Sequence, residues 1–127
     1  MKELKVQINW PFQLESSFTT HWLKKLKEKW YYVDKVSDGW IWMKKVDSYI
    51  RTDKDSYCCE IKLIDKDIFP LNRLRHNQWA SLRKWHELWW TAIVVVYSKT
   101  LNKYTIIPFD IIKDLDKNDS IKLSFKK

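Results

Sequence analysis

The stretch that decides the fold is Tyr57-Cys58-Cys59-Glu60-Ile61-Lys62-Leu63-Ile64. It predicts a β-strand, in which side chains alternate between faces. Glu60 and Lys62 then share one face, while Cys59, Ile61 and Leu63 share the other. Charge on an otherwise apolar strand is costly unless it is paired or bound to a metal. An acid, Asp47, lies upstream, and a divalent cation held by Asp47 and Glu60 with Lys62 beside it would account for the pair. The competing reading is a solvated strand face, which is ordinary in antiparallel sheets.

Working outward, Leu4, Val6 and Ile8 alternate and predict a short strand over Leu4–Ile8. Ser16 and Ser17 are candidate caps for a helix running to about Tyr31. Phe18, Trp22, Leu23, Leu26 and Trp30 recur on it at helical spacing, with lysines on the other faces. Strands are expected over Tyr31–Val36 and Trp40–Val46, joined by an Asp38-Gly39 turn and ending at Asp47. After the Tyr57–Ile64 strand comes a linker, Asp65–Asn72. A helix from about Leu74 to Leu88 follows, with Leu74, Trp79, Leu82 and Trp85 on one side. Thr91–Ser98 reads as a buried strand and Tyr104–Ile107 as another. Pro108 starts a short helix to about Leu115, and Ile121–Phe125 is a final strand. This order predicts an α/β fold, a mixed α+β sheet with helices on both faces.

At 127 residues the chain is expected to form one domain, spanning 1–127. Hydrophobic content of 45% allows a real core, and a single Gly argues for mostly regular elements. A net charge of +8 favours a polyanionic partner over a plain Lys-rich surface. Cys58 and Cys59 face opposite ways on a strand and are too few for a disulfide framework. His21, His76 and His86 form no zinc-ligand spacing with them. The polar N-terminus lacks a signal-peptide pattern, and the apolar run Ala92–Tyr97 is too short to span a membrane. A cytoplasmic protein without membrane contact is expected.

The order of elements, with Asp47 before Glu60-Ile61-Lys62, resembles the PD-(D/E)xK nuclease superfamily. That resemblance implies a restriction-endonuclease-like core of helix, three strands, helix and strand. Val46 stands where a Pro usually precedes the Asp. From Asp47 to about Ile112 the chain is similar to Holliday junction resolvases of the RecU type. The segment Phe69-Pro70-Leu71-Asn72-Arg73-Leu74-Arg75-His76-Asn77-Gln78 resembles the family's run into its second helix, which ends in a Gln. Ala92–Tyr97 and Tyr104–Asp110 resemble its apolar strand and its closing strand. The family's stalk has no room at Ser37-Asp38-Gly39. The resemblance implies a metal-dependent endodeoxyribonuclease active in DNA recombination and repair.

Phosphodiester hydrolysis needs an activated water, an in-line approach and neutralised phosphate charge. Asp47, Glu60 and the Ile61 carbonyl are candidate ligands for Mg²⁺, for which Mn²⁺ can substitute. An ordinary Lys titrates near 10.4, so Lys62 is read as stabilising charge rather than as a general base. Gln78 would hold Lys62 or the water, and Glu15 would bind metal through water as a helical Glu does in related nucleases. Each has a plainer reading: Asp47 as a turn residue, Glu15 as a helix N-terminal charge, Gln78 on the surface. Glu3-Leu4-Lys5 also matches the E-x-K string, without an upstream acid. Lys24, Lys25, Arg73, Arg75, His76, Arg83 and Lys84 are candidate DNA contacts, or else a solvated helix face. Nine Trp residues exceed the needs of so small a core and favour a homodimer; the rival use is stacking on DNA. The alternatives are a repair or restriction-type nuclease on other DNA, and a non-catalytic basic DNA- or protein-binding module.

Overall fold

The computed structural model describes residues 1–9, 11–35 and 46–125. In chain order the elements are α1 (Glu15–Glu28), β1 (Tyr32–Lys35), β2 (Ser48–Arg51), β3 (Ser56–Ile64), β4 (Ile68–Pro70), α2 (His76–Glu87), β5 (Thr91–Ser98), β6 (Lys103–Pro108), α3 (Phe109–Ile112) and β7 (Ser120–Lys122). Short 3-10 turns occupy Lys2–Leu4 and Leu71–Arg73. Strands pair in the order β1-β2-β3-β5-β6, a five-stranded mixed sheet. The first three strands form an antiparallel meander. β3 and β5 run parallel, from Tyr57 opposite Thr91 to Ile64 opposite Ser98. A parallel pair needs a long crossover, and α2 lies within it.

Alternation along β3 feeds two cores, one on each side of the sheet. Cys59 and Ile61 pack with Phe18, Trp22 and Leu26 of α1, and with Val95. Those three α1 residues are four apart, so they form one stripe. Cys58 and Ile64 pack on the other side with Leu74, Trp79 and Leu82, and with Phe109 and Ile112 of α3. The expected mixed sheet with helices on both faces is the observed architecture. No helix among the described residues is long and apolar enough to cross a membrane.

Several boundaries differ from the sequence reading. No strand forms over Leu4–Ile8: the Val6 N–H donates to Tyr104 Oη at 2.6 Å, and that hydroxyl donates back to the Val6 carbonyl at 3.0 Å. A side chain from β6 thus takes the place of a strand ladder. Ser16 and Ser17 lie inside α1, not at its cap. The helix begins at Glu15 behind Leu14 and ends at Glu28, before Trp30 turns left-handed at φ 68°. β2 starts after Asp47, at Ser48, where pairing with β3 begins opposite Cys59, although the alternating burial already includes Val46. The Asp38-Gly39 turn and the Trp40–Lys45 part of the expected strand lie outside the described residues. The supposed linker contains β4, which pairs antiparallel with β7 in a separate two-stranded sheet. The last strand is therefore Ser120–Lys122, and Leu123 and Phe125 beyond it pack on the α2-side core.

Candidate functional site

β2 leaves the sheet before β3 does. Its first paired residue, Ser48, stands opposite Cys59, and the same register continued by one residue sets Asp47 opposite Glu60. Beyond that point the N–H groups of Ile61 and Leu63 still face the β2 side of β3, since alternate residues present their backbone groups to the same side. A carboxylate meets each of them. Asp47 Oδ2 accepts from the Ile61 N–H at 2.9 Å, and Glu15 Oε1 accepts from the Leu63 N–H at 3.2 Å. Asp47 is there because it immediately precedes β2, and Glu15 because it is the first residue of α1.

Glu60 and Lys62 point away from α1, on the side of Cys58, Ile64 and α2. Glu60 is 0% exposed and Lys62 only 9%, which rules out a solvated strand face for the pair. Gln78, the third residue of α2, reaches Glu60. Its Nε2 donates to Glu60 Oε2 at 3.1 Å, and its Oε1 accepts from the Arg75 N–H at 2.9 Å. Its own N–H donates to the Arg75 carbonyl at 2.9 Å. Both ends of the amide are committed, so its orientation is fixed: a flip would set oxygen against carboxylate and donor against donor.

Glu15 is half-buried, and burial raises its carboxyl above the ordinary 4.5. The charge of Lys62 opposes that rise and Asp47 adds to it, while the Leu63 N–H and Arg73 pull the other way. Asp47, Lys62 and Arg73 are therefore all near enough to act electrostatically on Glu15. Burial, helped by the Glu60 charge, pushes the Cys58 thiol up to about 12. Burial likewise lifts Cys59 well above its usual value. Both stay protonated near neutrality, and a thiol is a poor metal ligand compared with a thiolate.

The oxygen donors fit a hard divalent cation. One oxygen of Asp47 is committed to the Ile61 N–H, which leaves the other for an ion. Glu60 is a buried carboxylate opposite it, a charge that a cation would offset. The Ile61 carbonyl lies on the same side of β3 as its N–H. Two carboxylates and a carbonyl suit Mg²⁺, which takes few protein ligands and keeps several waters. Among the described residues no three His, Cys, Asp or Glu side chains form a metal-binding group, so the carbonyl is needed as the third donor.

The candidate DNA contacts divide by distance from this point. Arg73, in the turn before α2, is exposed and near enough to influence Glu15. Arg75 and His76 are exposed at the start of α2. Lys24 and Lys25 lie on α1 beside a groove lined by Ser16, Ser17 and Thr20, and Lys25 is 4.0 Å from Glu28. Arg83 donates to the Lys113 carbonyl at 2.9 Å and sits over the Phe109 ring, which ties it to the fold. Lys84 is exposed farther along α2. Lys113 and Lys117, which the sequence reading did not single out, face His76 and Arg83 across a pocket. They follow a helix of four residues and carry no periodic signal.

No protein-family model matches the chain, and no curated protein sequence is similar to it. Among solved structures, the chain is similar to Hjc from Archaeoglobus fulgidus, described as a Holliday junction resolvase from an archaeal hyperthermophile. The TM-score is 0.67 at 14% identity, over 84% of this chain and 87% of that one. What the two share is the fold; in this chain it is a five-stranded mixed sheet with helices packed on both faces.

Proposed function

We propose that this chain is a metal-dependent DNA endonuclease that acts on branched DNA, four-way junctions foremost, as a homodimer. One observation carries the reading. Asp47, Glu15 and Gln78, from three separate parts of the chain, converge on the strand that buries Glu60 and Lys62. The fold likeness to an archaeal resolvase supports the junction as substrate.

Asp47, Glu60 and the Ile61 carbonyl would hold Mg²⁺ or Mn²⁺, which when bound supplies charge neutralisation and a more acidic water. Lys62, on the same face of β3 as Glu60, would set its ammonium where negative charge grows on the phosphate. Its burial strengthens that attraction relative to water. Gln78 keeps the Glu60 carboxylate in one orientation. Glu15, with its carboxyl raised, would position the attacking water from the β2 side of β3. Arg73, Arg75 and His76 would take the phosphates nearest the scissile bond, and Lys24, Lys25, Arg83 and Lys84 those farther out.

The test is cleavage of a labelled four-way junction beside matched linear duplex and single strand, in Mg²⁺ or Mn²⁺, with Asp47→Asn as control. The expected result is paired, symmetric nicks in the junction, lost in Asp47→Asn, with 5′-phosphate ends that ligase reseals. Equal cutting of linear duplex would keep the nuclease and remove the junction claim, leaving a repair or restriction-type enzyme. No cleavage of any substrate would leave a basic binding module. Lys62→Ala is expected to lower the cleavage rate by about 10²–10³ while DNA binding persists, as read by fluorescence anisotropy.

A further inference from the structure

We propose that the pocket between α2 and the chain that follows α3 is a second anion site, built to take a backbone phosphate of bound DNA. The pocket has a volume of about 370 Å³. His76 and Arg83 line it from α2, and Lys113 and Lys117 from the segment after α3. No carboxylate is among the described residues that line it. Lys117 Nζ lies 3.3 Å from His76 Nδ1. Lys113 also meets Asp110 at 3.0 Å, so one negative charge stands just outside the lining.

The wall is braced. Arg83 donates to the Lys113 carbonyl. The Leu71 N–H donates to the Asp119 carbonyl at 2.9 Å, and the Leu123 N–H to the Asp67 carbonyl at 2.7 Å. Together with the β4–β7 ladder these bonds fix the segment carrying Lys117 against the run that leads into α2. Lys117 is steadied by the His76 ring nitrogen and Lys113 by Asp110, so two ammonium groups and the Arg83 guanidinium are held at one pocket, where an anion would be attracted by all three. A DNA phosphate fits better than a base, because Trp79, the aromatic residue at the pocket, is 7% exposed and offers no open face for stacking. A phosphate held there would position the duplex without reading its sequence. The place suits this role: α2 touches Glu60 through Gln78, and Arg83 is about 7.5 Å farther along the helix axis at 1.5 Å per residue.

The proposal rests on the DNA-binding part of the proposed function and not on cleavage. The test is fluorescence anisotropy with a labelled duplex and a labelled four-way junction. It is run in EDTA on the Asp47→Asn background, across a salt series. Lys113→Ala/Lys117→Ala is expected to flatten the slope of log K against log salt by about 0.9 for each phosphate that is no longer neutralised. Lys27→Ala/Lys54→Ala, which removes two charges elsewhere, is expected to leave the slope unchanged. Lys117→Glu alone should weaken binding more than Lys117→Ala, and thermal melts check that each variant is folded. A slope in the pocket variant equal to that of the control pair overturns the proposal. A chain that binds no DNA overturns it as well. If no DNA is cleaved in metal but the slope change appears, the nuclease reading fails and the phosphate site stands.

Discussion

Glu15 joins two roles in one side chain. Its carboxylate completes the hydrogen bonding of Leu63, yet burial raises its pKa above the ordinary 4.5. A group that binds a proton more tightly when folded lowers stability as pH rises from its unfolded value through its folded one, and leaves it constant above. Glu15→Gln keeps an oxygen acceptor for the Leu63 N–H and removes the titration. The melting temperature of Glu15→Gln relative to wild type should therefore climb as pH rises from below 4.5 towards neutrality, then level off. A difference that is flat with pH would mean that Glu15 is solvated in the native state. Gln78 is the converse case, since its amide serves two partners at once. Gln78→Ala would deprive the buried Glu60 carboxylate and the Arg75 N–H of a partner, at a cost of about 1–3 kcal/mol, measurable by urea denaturation. The face shared by Glu60 and Lys62 was legible in the sequence because strand alternation is local. The bond from Glu15 to Leu63 was not, because it joins residues 48 apart and exists only once α1 packs beside β3.

The elements show why the edges were harder to read than the centres. β5 matches its expected span from Thr91 to Ser98 because every residue from Ala92 to Ser98 is buried, leaving only one solution. α1 does not match at either end. Two serines suggested a cap, but tertiary contacts start the helix earlier, on an apolar residue with no side-chain cap bond. Leu14 has extended backbone angles suited to capping, φ −118° and ψ 140°, and is 62% exposed. Leu14→Ser would supply the missing acceptor without opening a cavity. It is expected to stabilise the chain by about 1 kcal/mol, seen as a higher urea midpoint at unchanged m-value. A lower midpoint would show that Leu14 packs against something more valuable than the cap. At the far ends of α1 and α2, Trp30 and Trp89 take left-handed angles where Gly is usual, φ 68° and 70°. With one Gly in the chain, no sequence signal marked those stops.

At the scale of the whole molecule, a carboxylate is buried at the centre of a strongly basic protein. The net charge of +8 attracts DNA and repels free cations. Diffuse surface binding of Mg²⁺ is therefore unfavourable, and a metal-dependent gain in stability reports on a particular site. Glu60 is desolvated whether or not a metal is bound, so an ion that pairs with it favours the folded chain alone. Such a ligand stabilises by about 2.7 kcal/mol at a hundred times its Kd. The melting temperature of wild type should rise by several degrees on adding Mg²⁺ or Mn²⁺ and return on adding EDTA. Glu60→Gln keeps an oxygen acceptor for the Gln78 amide and removes the charge. Asp47→Asn likewise keeps an acceptor for the Ile61 N–H. Both variants should fold as well as wild type without metal, and neither should respond to it. The same metal-induced rise in all three proteins would mean that the ion binds elsewhere. The convergence of Asp47 and Glu60 would then be a means of closing the edge of β3, with no catalytic meaning.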